Sequence, residues 1–209
     1  MNMKDKVVVI TGGATGIGYA LAKTFGADGA KIVIAEPREH RMEEACEMLG
    51  ELGVDARWTV CDVTDLESVE KLAHFTWGQH GRCDVLINNA GIGLREKRLP
   101  DTPMEDAHRI MDVNFWGVWR GCRVFGNRMK EQGSPAMIYN TGSENSFFCA
   151  STGAAYIASK HAVLGLTEMF RQQVHILMHD LSEFKSPWIV WLYPVTIICS
   201  LPFCAGFSL

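Results

Sequence analysis

Short apolar runs alternate with amphipathic stretches along most of this chain. Val7–Ile10 (VVVI), Lys31–Ala35 (KIVIA), RWTVCDV around Val60, Cys83–Asn88 (CDVLIN) and AMIYNTGS around Ile138 are such runs. They are apolar on successive residues, which predicts strands covered on both faces. Between them, GYALAKTFGADG repeats apolar residues at helical spacing, and Arg41–Leu52 is charged and amphipathic. Thr64 and Glu67 form a capping-box signature for a helix through Lys71 to Gly78. Thr102, Pro103 and Glu105 mark another start, with a cap, a proline at the first position and a glutamate at the third. That long helix is predicted to run to about Gln132, and a sixth helix from Ala154 to about Val174. The alternation predicts an α/β fold, a single doubly wound Rossmann-type domain with a mostly parallel sheet. No repeat or linker interrupts it, so one domain is expected over 1–209.

Composition narrows the class. The chain has 209 residues, 47% hydrophobic and 21% charged, as in a globular domain with a full core. A net charge of −4 excludes a strong pull toward nucleic acid or anionic membrane. The start, MNMKDKVVVITGG, lacks the apolar stretch of a signal peptide. Cys46, Cys61, Cys83, Cys122, Cys149, Cys199 and Cys204 are scattered, with no C-x-x-C pair. They predict reduced thiols in a cytoplasmic protein, and no metal site.

Two local patterns suggest chemistry. TGGATGIG (Thr11–Gly18) joins the first strand to the first helix, with Gly12, Gly16 and Gly18 in G-x-x-x-G-x-G spacing. Glycines there let the backbone approach a pyrophosphate at a helix N-terminus. The second strand runs into Glu36, whose carboxylate can accept from adenosine ribose hydroxyls and repels a 2′-phosphate. NAD is therefore expected, with NADP as the alternative. Arg38, the nearby cation, reads as a solvated charge. In YIASK, Tyr156 and Lys160 share one helix face, and Ser143 precedes them at the end of the fifth strand.

Together these residues resemble the short-chain dehydrogenase/reductase family, of the classical type. The likeness runs from about Lys6 to Leu166 through the glycine loop, Asp62, Asn88-Asn89-Ala90-Gly91, Asn114, Ser143, Tyr156 and Lys160. It implies an NAD-dependent oxidoreductase interconverting a secondary alcohol and a ketone. Tyr156 would be the general acid/base, and Lys160 would favour its phenolate and hold the nicotinamide ribose. Ser143 would bond the substrate oxygen, and Asn114 would anchor a relay water. Gly12, Thr15, Gly16, Ile17 and Gly18 would cradle the cofactor. Asp62 and Val63 would flank its adenine, and Asn88, Ala90 and Gly91 would lie beside its ribose and steady the central strand. Asn89 reads as a turn residue and Asp84 as a strand-start cap. The aromatic helix NFWGVWRGCRVFG would pack against a second subunit, giving a homo-oligomer.

The final stretch, Trp188–Leu209, has no charge. Ile189–Pro194 is expected to be a sixth strand. Residues 195–209 form an atypical apolar tail where the family places a substrate lid. Pro194 and Pro202 argue against a membrane anchor. The departure keeps a second class open, a non-catalytic NAD-binding or dimerising variant.

Overall fold

The computed structural model describes residues 3–93 and 98–177. The strands are β1 (Val7–Thr11), β2 (Lys31–Glu36), β3 (Ala56–Val60), β4 (Val85–Asn88) and β5 (Met137–Asn140). They form one sheet in the order β3-β2-β1-β4-β5, and every pairing is parallel. The helices are α1 (Gly16–Ala27), α2 (Glu39–Glu51), α3 (Leu66–His80), α4 (Met104–Met111), α5 (Gly117–Gln132) and α6 (Ala154–Leu177). The expected doubly wound sheet is what forms.

Side-chain alternation explains the continuous apolar strands. Val8, Ile10, Ile32 and Ile34 pack on one face with Ala22 of α1 and Met42, Ala45 and Leu49 of α2. Val9, Val33 and Leu86 pack on the other with Leu72 and Ala73 of α3 and Phe125 and Met129 of α5. Successive residues point to opposite faces, so a strand buried on both must be apolar throughout. Val118 and Cys122 of α5 meet Val163 and Leu166 of α6 in a third cluster, against Ile138 of β5.

Two helix starts differ from expectation. Thr64 does not cap α3, because its N–H and hydroxyl both donate to Asp62 Oδ1, at 2.9 and 2.8 Å. Asp65 caps instead, accepting from the backbone N–H groups of Glu67 and Ser68. Thr102 donates its hydroxyl back to Arg98 O, and Pro103 takes the cap position ahead of Met104. The long helix does reach Gln132, but Asp112–Trp116 is a π turn, with Gly117 N–H donating to Asp112 O. The sixth helix extends three residues past Val174, to Leu177. The expected strand at Ile189–Pro194 and the tail at 195–209 lie outside the described residues. No helix among the described residues is long and apolar enough to cross a membrane.

The strand order reverses between β1 and β4, the place where open α/β sheets bind ligands beyond their strand ends. The glycine loop follows β1 there, and Asn89–Gly91 follows β4.

Candidate active site

Thr11 and Asn89 hold the glycine loop. Thr11 Oγ1 accepts from the backbone N–H groups of Asn89 and Ala90, at 3.0 and 3.1 Å. Asn89 Nδ2 donates to both Thr11 O and Gly12 O at 3.1 Å. Asn89, expected as a turn residue, stands in irregular chain with no turn and is a strap between the strand ends. α1 then sits directly on the loop, since a Cβ on Gly18 would fall 2.1 Å from Gly12 O. Gly16 has φ +55, and a Cβ there would meet nothing within 4 Å. Thr15, Gly16 and Ile17 are exposed, and the Thr15 side chain makes no cap bond. An open helix N-terminus with no side chain over it suits a pyrophosphate.

A cleft of about 1000 Å³ opens beside the loop, lined among others by Gly12, Glu36, Asp62, Val63, Ala90 and Gly91. These are residues expected to hold a dinucleotide, and the space suits a ligand of that size. Glu36 is buried at the end of β2 and pairs with Arg38 Nε at 2.9 Å. Arg38 is therefore not simply solvated. Cys61 also lines the cleft, and burial pushes its thiol up to about 11, which keeps it neutral and unreactive. Arg120 donates to Val63 O at 3.1 Å and to Asp112 Oδ1 at 2.9 Å, tying the cleft wall to the π turn. No sequence motif singled it out.

Asn88 does not line the cleft with its neighbours. Its amide turns inward and donates to Asn140 Oδ1 at 2.8 Å, joining β4 to β5.

Asn114 stands in the π turn, fully buried. Its Oδ1 accepts from Ile92 N–H at 2.8 Å, and its Nδ2 donates to Ile92 O at 3.0 Å and Ser159 Oγ at 3.2 Å. Ser159 in turn donates to Tyr156 O at 2.7 Å. Ser159, inside YIASK but not singled out there, therefore fastens Asn114 to the helix carrying Tyr156. Lys160 is buried, donates to Thr141 O at 2.9 Å, and holds its ammonium 5.7 Å from the Tyr156 ring centre. Burial lowers the Lys160 pKa to about 8. A Cβ on Gly91 would lie 3.4 Å from Asn114 Oδ1 and 3.9 Å from Lys160 Nζ, so both face the same point.

Ser143 heads a short 3-10 turn, Glu144–Ser146, that packs on α6. Its Oγ accepts from Asn145 N–H at 3.2 Å. A hydroxyl accepting there still has its own hydrogen to donate. Asn114 and Lys160 thus meet at Gly91, which lines the cleft, with the Tyr156 ring beside Lys160, while Ser143 stands three residues beyond the end of β5.

The sequence profile of the family described as short chain dehydrogenase matches residues 6–177. The chain is 34% identical over 172 residues to a 1-deoxy-11-beta-hydroxypentalenate dehydrogenase of Streptomyces avermitilis, covering 82% of this chain and 64% of that protein. It thus spans less than two thirds of that relative's length. Its fold is similar to a short chain dehydrogenase/reductase from Burkholderia phymatum solved with NAD, with TM-score 0.78, 32% identity, and 89% and 63% of the two chains covered. A metagenomic short-chain oxidoreductase solved with NADP is also similar, with TM-score 0.78, 27% identity, and coverage of 84% and 79%.

Proposed function

Because the chain belongs to the short-chain dehydrogenase family, we propose that it interconverts a secondary alcohol and a ketone, using NAD. The observation that carries this reading is a buried Lys160 held 5.7 Å from the Tyr156 ring centre and facing Gly91, which lines the glycine-loop cleft. In the oxidising direction Tyr156 takes the proton of the substrate hydroxyl. The positive charge of Lys160 stabilises the negative charge that Tyr156 carries. Ser143 donates its free hydrogen to the substrate oxygen and holds it at the reacting position. Bound nicotinamide supplies the hydride acceptor. Asn114 keeps one Oδ1 lone pair beyond its bond to Ile92, facing the point that Lys160 Nζ also faces, which suits the water of a proton relay.

NAD is favoured by the buried Glu36 carboxylate at the end of β2. A relative named for dehydrogenating a hydroxypentalenate supports a hydroxyl-bearing substrate. Phe148, 70% exposed on the segment between Ser143 and Tyr156, supports an apolar one. Trp119, 42% exposed and edge-on to Phe115 beside Trp116 of the cleft wall, supports a homo-oligomer through this face. The free cysteines among the described residues support a cytoplasmic setting.

The test mixes purified protein with NAD or NADP and a panel of secondary alcohols and ketones, following absorbance of the reduced cofactor. Turnover that Tyr156→Phe abolishes, with cofactor binding kept, supports the enzyme. Cofactor binding without turnover of any substrate replaces it with a non-catalytic NAD-binding protein. Sedimentation of the same sample reads the oligomer.

A further inference from the structure

A chain of polar side chains runs beneath the site and takes no part in the chemistry above. Asn88 Nδ2 on β4 donates to Asn140 Oδ1 on β5 at 2.8 Å. Asn140 Nδ2 donates to Thr167 Oγ1 on α6 at 3.0 Å. Thr167 donates to Val163 O, one turn back, at 2.7 Å. All the donors point the same way. Asn88 and the Cys122 thiol fix the carbonyl end of the Asn140 amide, and Val163 takes the only hydrogen of the Thr167 hydroxyl. Thr167 can therefore face Asn140 only as an acceptor.

The junction is buried and tight. Asn88 and Asn140 are 4% and 7% exposed, and a Cβ on Gly121 of α5 would fall 2.1 Å from Asn88 Oδ1. A polar group left unpaired in such a place is costly, so the chain resists slipping.

Thr167 follows Lys160 by about two helical turns, so both lie on one face of α6. Asn140 and Thr141 are consecutive at the end of β5, and they receive these two residues side by side. Ser159 and the apolar packing of Val163 and Leu166 hold α6 to the body of the domain. The two bonds to Asn140 and Thr141 add a polar register along the strand end.

We propose that Thr167 is a positioning residue for Lys160: through Asn140 it sets the register of α6 against β5, so that Lys160 Nζ is delivered to the Thr141 carbonyl. The proposal rests on the reading of Lys160 as part of the catalytic group, but its test does not need turnover.

The test follows acetylation of lysine amines by trace acetic anhydride across pH in the cofactor-free protein, reading the Lys160 peptide by mass spectrometry. Thr167→Val keeps the shape and removes the acceptor; Thr167→Ser keeps the acceptor. The wild type and Thr167→Ser are expected to share a Lys160 midpoint near 8. In Thr167→Val, α6 shifts and Nζ reaches water, and the midpoint should rise by about one pH unit. A Thr167→Val protein that is merely less stable to urea, with an unmoved midpoint, overturns the proposal. So does a Thr167→Ser midpoint that moves as far as that of Thr167→Val. If Thr167→Val does not fold, Thr167→Ala is read by the same two outcomes. A protein that oxidised no alcohol would still answer, so failure here is distinct from failure of the proposed activity.

Discussion

Lys160 donates its Nζ hydrogen to the backbone carbonyl of Thr141 at 2.9 Å, with only 5% of the residue exposed. Burial lowers its pKa from 10.5 to about 8. Between those values the unfolded chain holds a proton that the folded chain has lost, so stability from this residue rises with pH. Below about 8 both states are charged, and the cost of burying the ammonium is felt in full. Lys160→Met removes the ionisation. Measured by urea unfolding, the wild type should gain on this variant by roughly 1–3 kcal/mol as pH rises through the window. A difference that stays flat would contradict the burial of a titrating lysine.

Gly91→Ala tests the shared space between Asn114 and Lys160. The new methyl would make ordinary contacts, 3.4 Å from Asn114 Oδ1 and 3.9 Å from Lys160 Nζ. Thermal stability should change by less than about 1 kcal/mol. A relay water joining the two groups would be displaced, and kcat should fall roughly 10–100-fold. Unchanged kcat would remove the relay from the mechanism.

Glu36→Ala should shift cofactor choice. The carboxylate now faces the cleft and holds Arg38 at 2.9 Å. Its loss should weaken NAD binding by about tenfold, the size of a hydrogen bond to a charged group. It should also strengthen NADP binding, because a released Arg38 can meet the 2′-phosphate. Direct titration of both cofactors measures this, and an unchanged ratio of the two affinities would contradict it.

Asp84→Ala tests the far end of the sheet. The Asp84 carboxylate accepts from Val7 N–H at 2.9 Å, from Lys6 Nζ at 3.2 Å and from Arg82, joining the starts of β1 and β4. Sequence suggested a strand-start cap; the structure makes it a clamp between two strands. Leaving Val7 N–H buried without a partner should cost roughly 2–3 kcal/mol in urea unfolding. Cofactor affinity should hold, because the clamp lies at the opposite strand ends from the cleft. A loss of binding without loss of stability would contradict this separation.

The sequence by itself determined the elements and their order, because those depend on local pattern. Runs such as VVVI and KIVIA, short, β-branched and apolar throughout, read as strands covered on both faces, and they form β1 and β2. Tyr156 and Lys160 share a helix face through helical spacing alone. Gly12 was legible from the glycine loop and Glu36 from the strand that runs into it, while Asp62 and Gly91 came from the family resemblance; the strand ends bring all four to the cleft. Side-chain pairing was not legible, because it depends on what the fold brings close. Thr64 looked like a cap until Asp62 claimed its hydroxyl and left Asp65 to cap α3. Arg38 is half exposed at the start of α2, as a solvated charge would be, but it also pairs with Glu36 at the end of β2. Asn114 lies far from Ser159 in sequence, as Asn140 does from Thr167, and only the packing of α6 against β5 and the π turn brings them into contact. A hydrogen bond needs its partners within about 3 Å, and no spacing along the chain specifies that across elements.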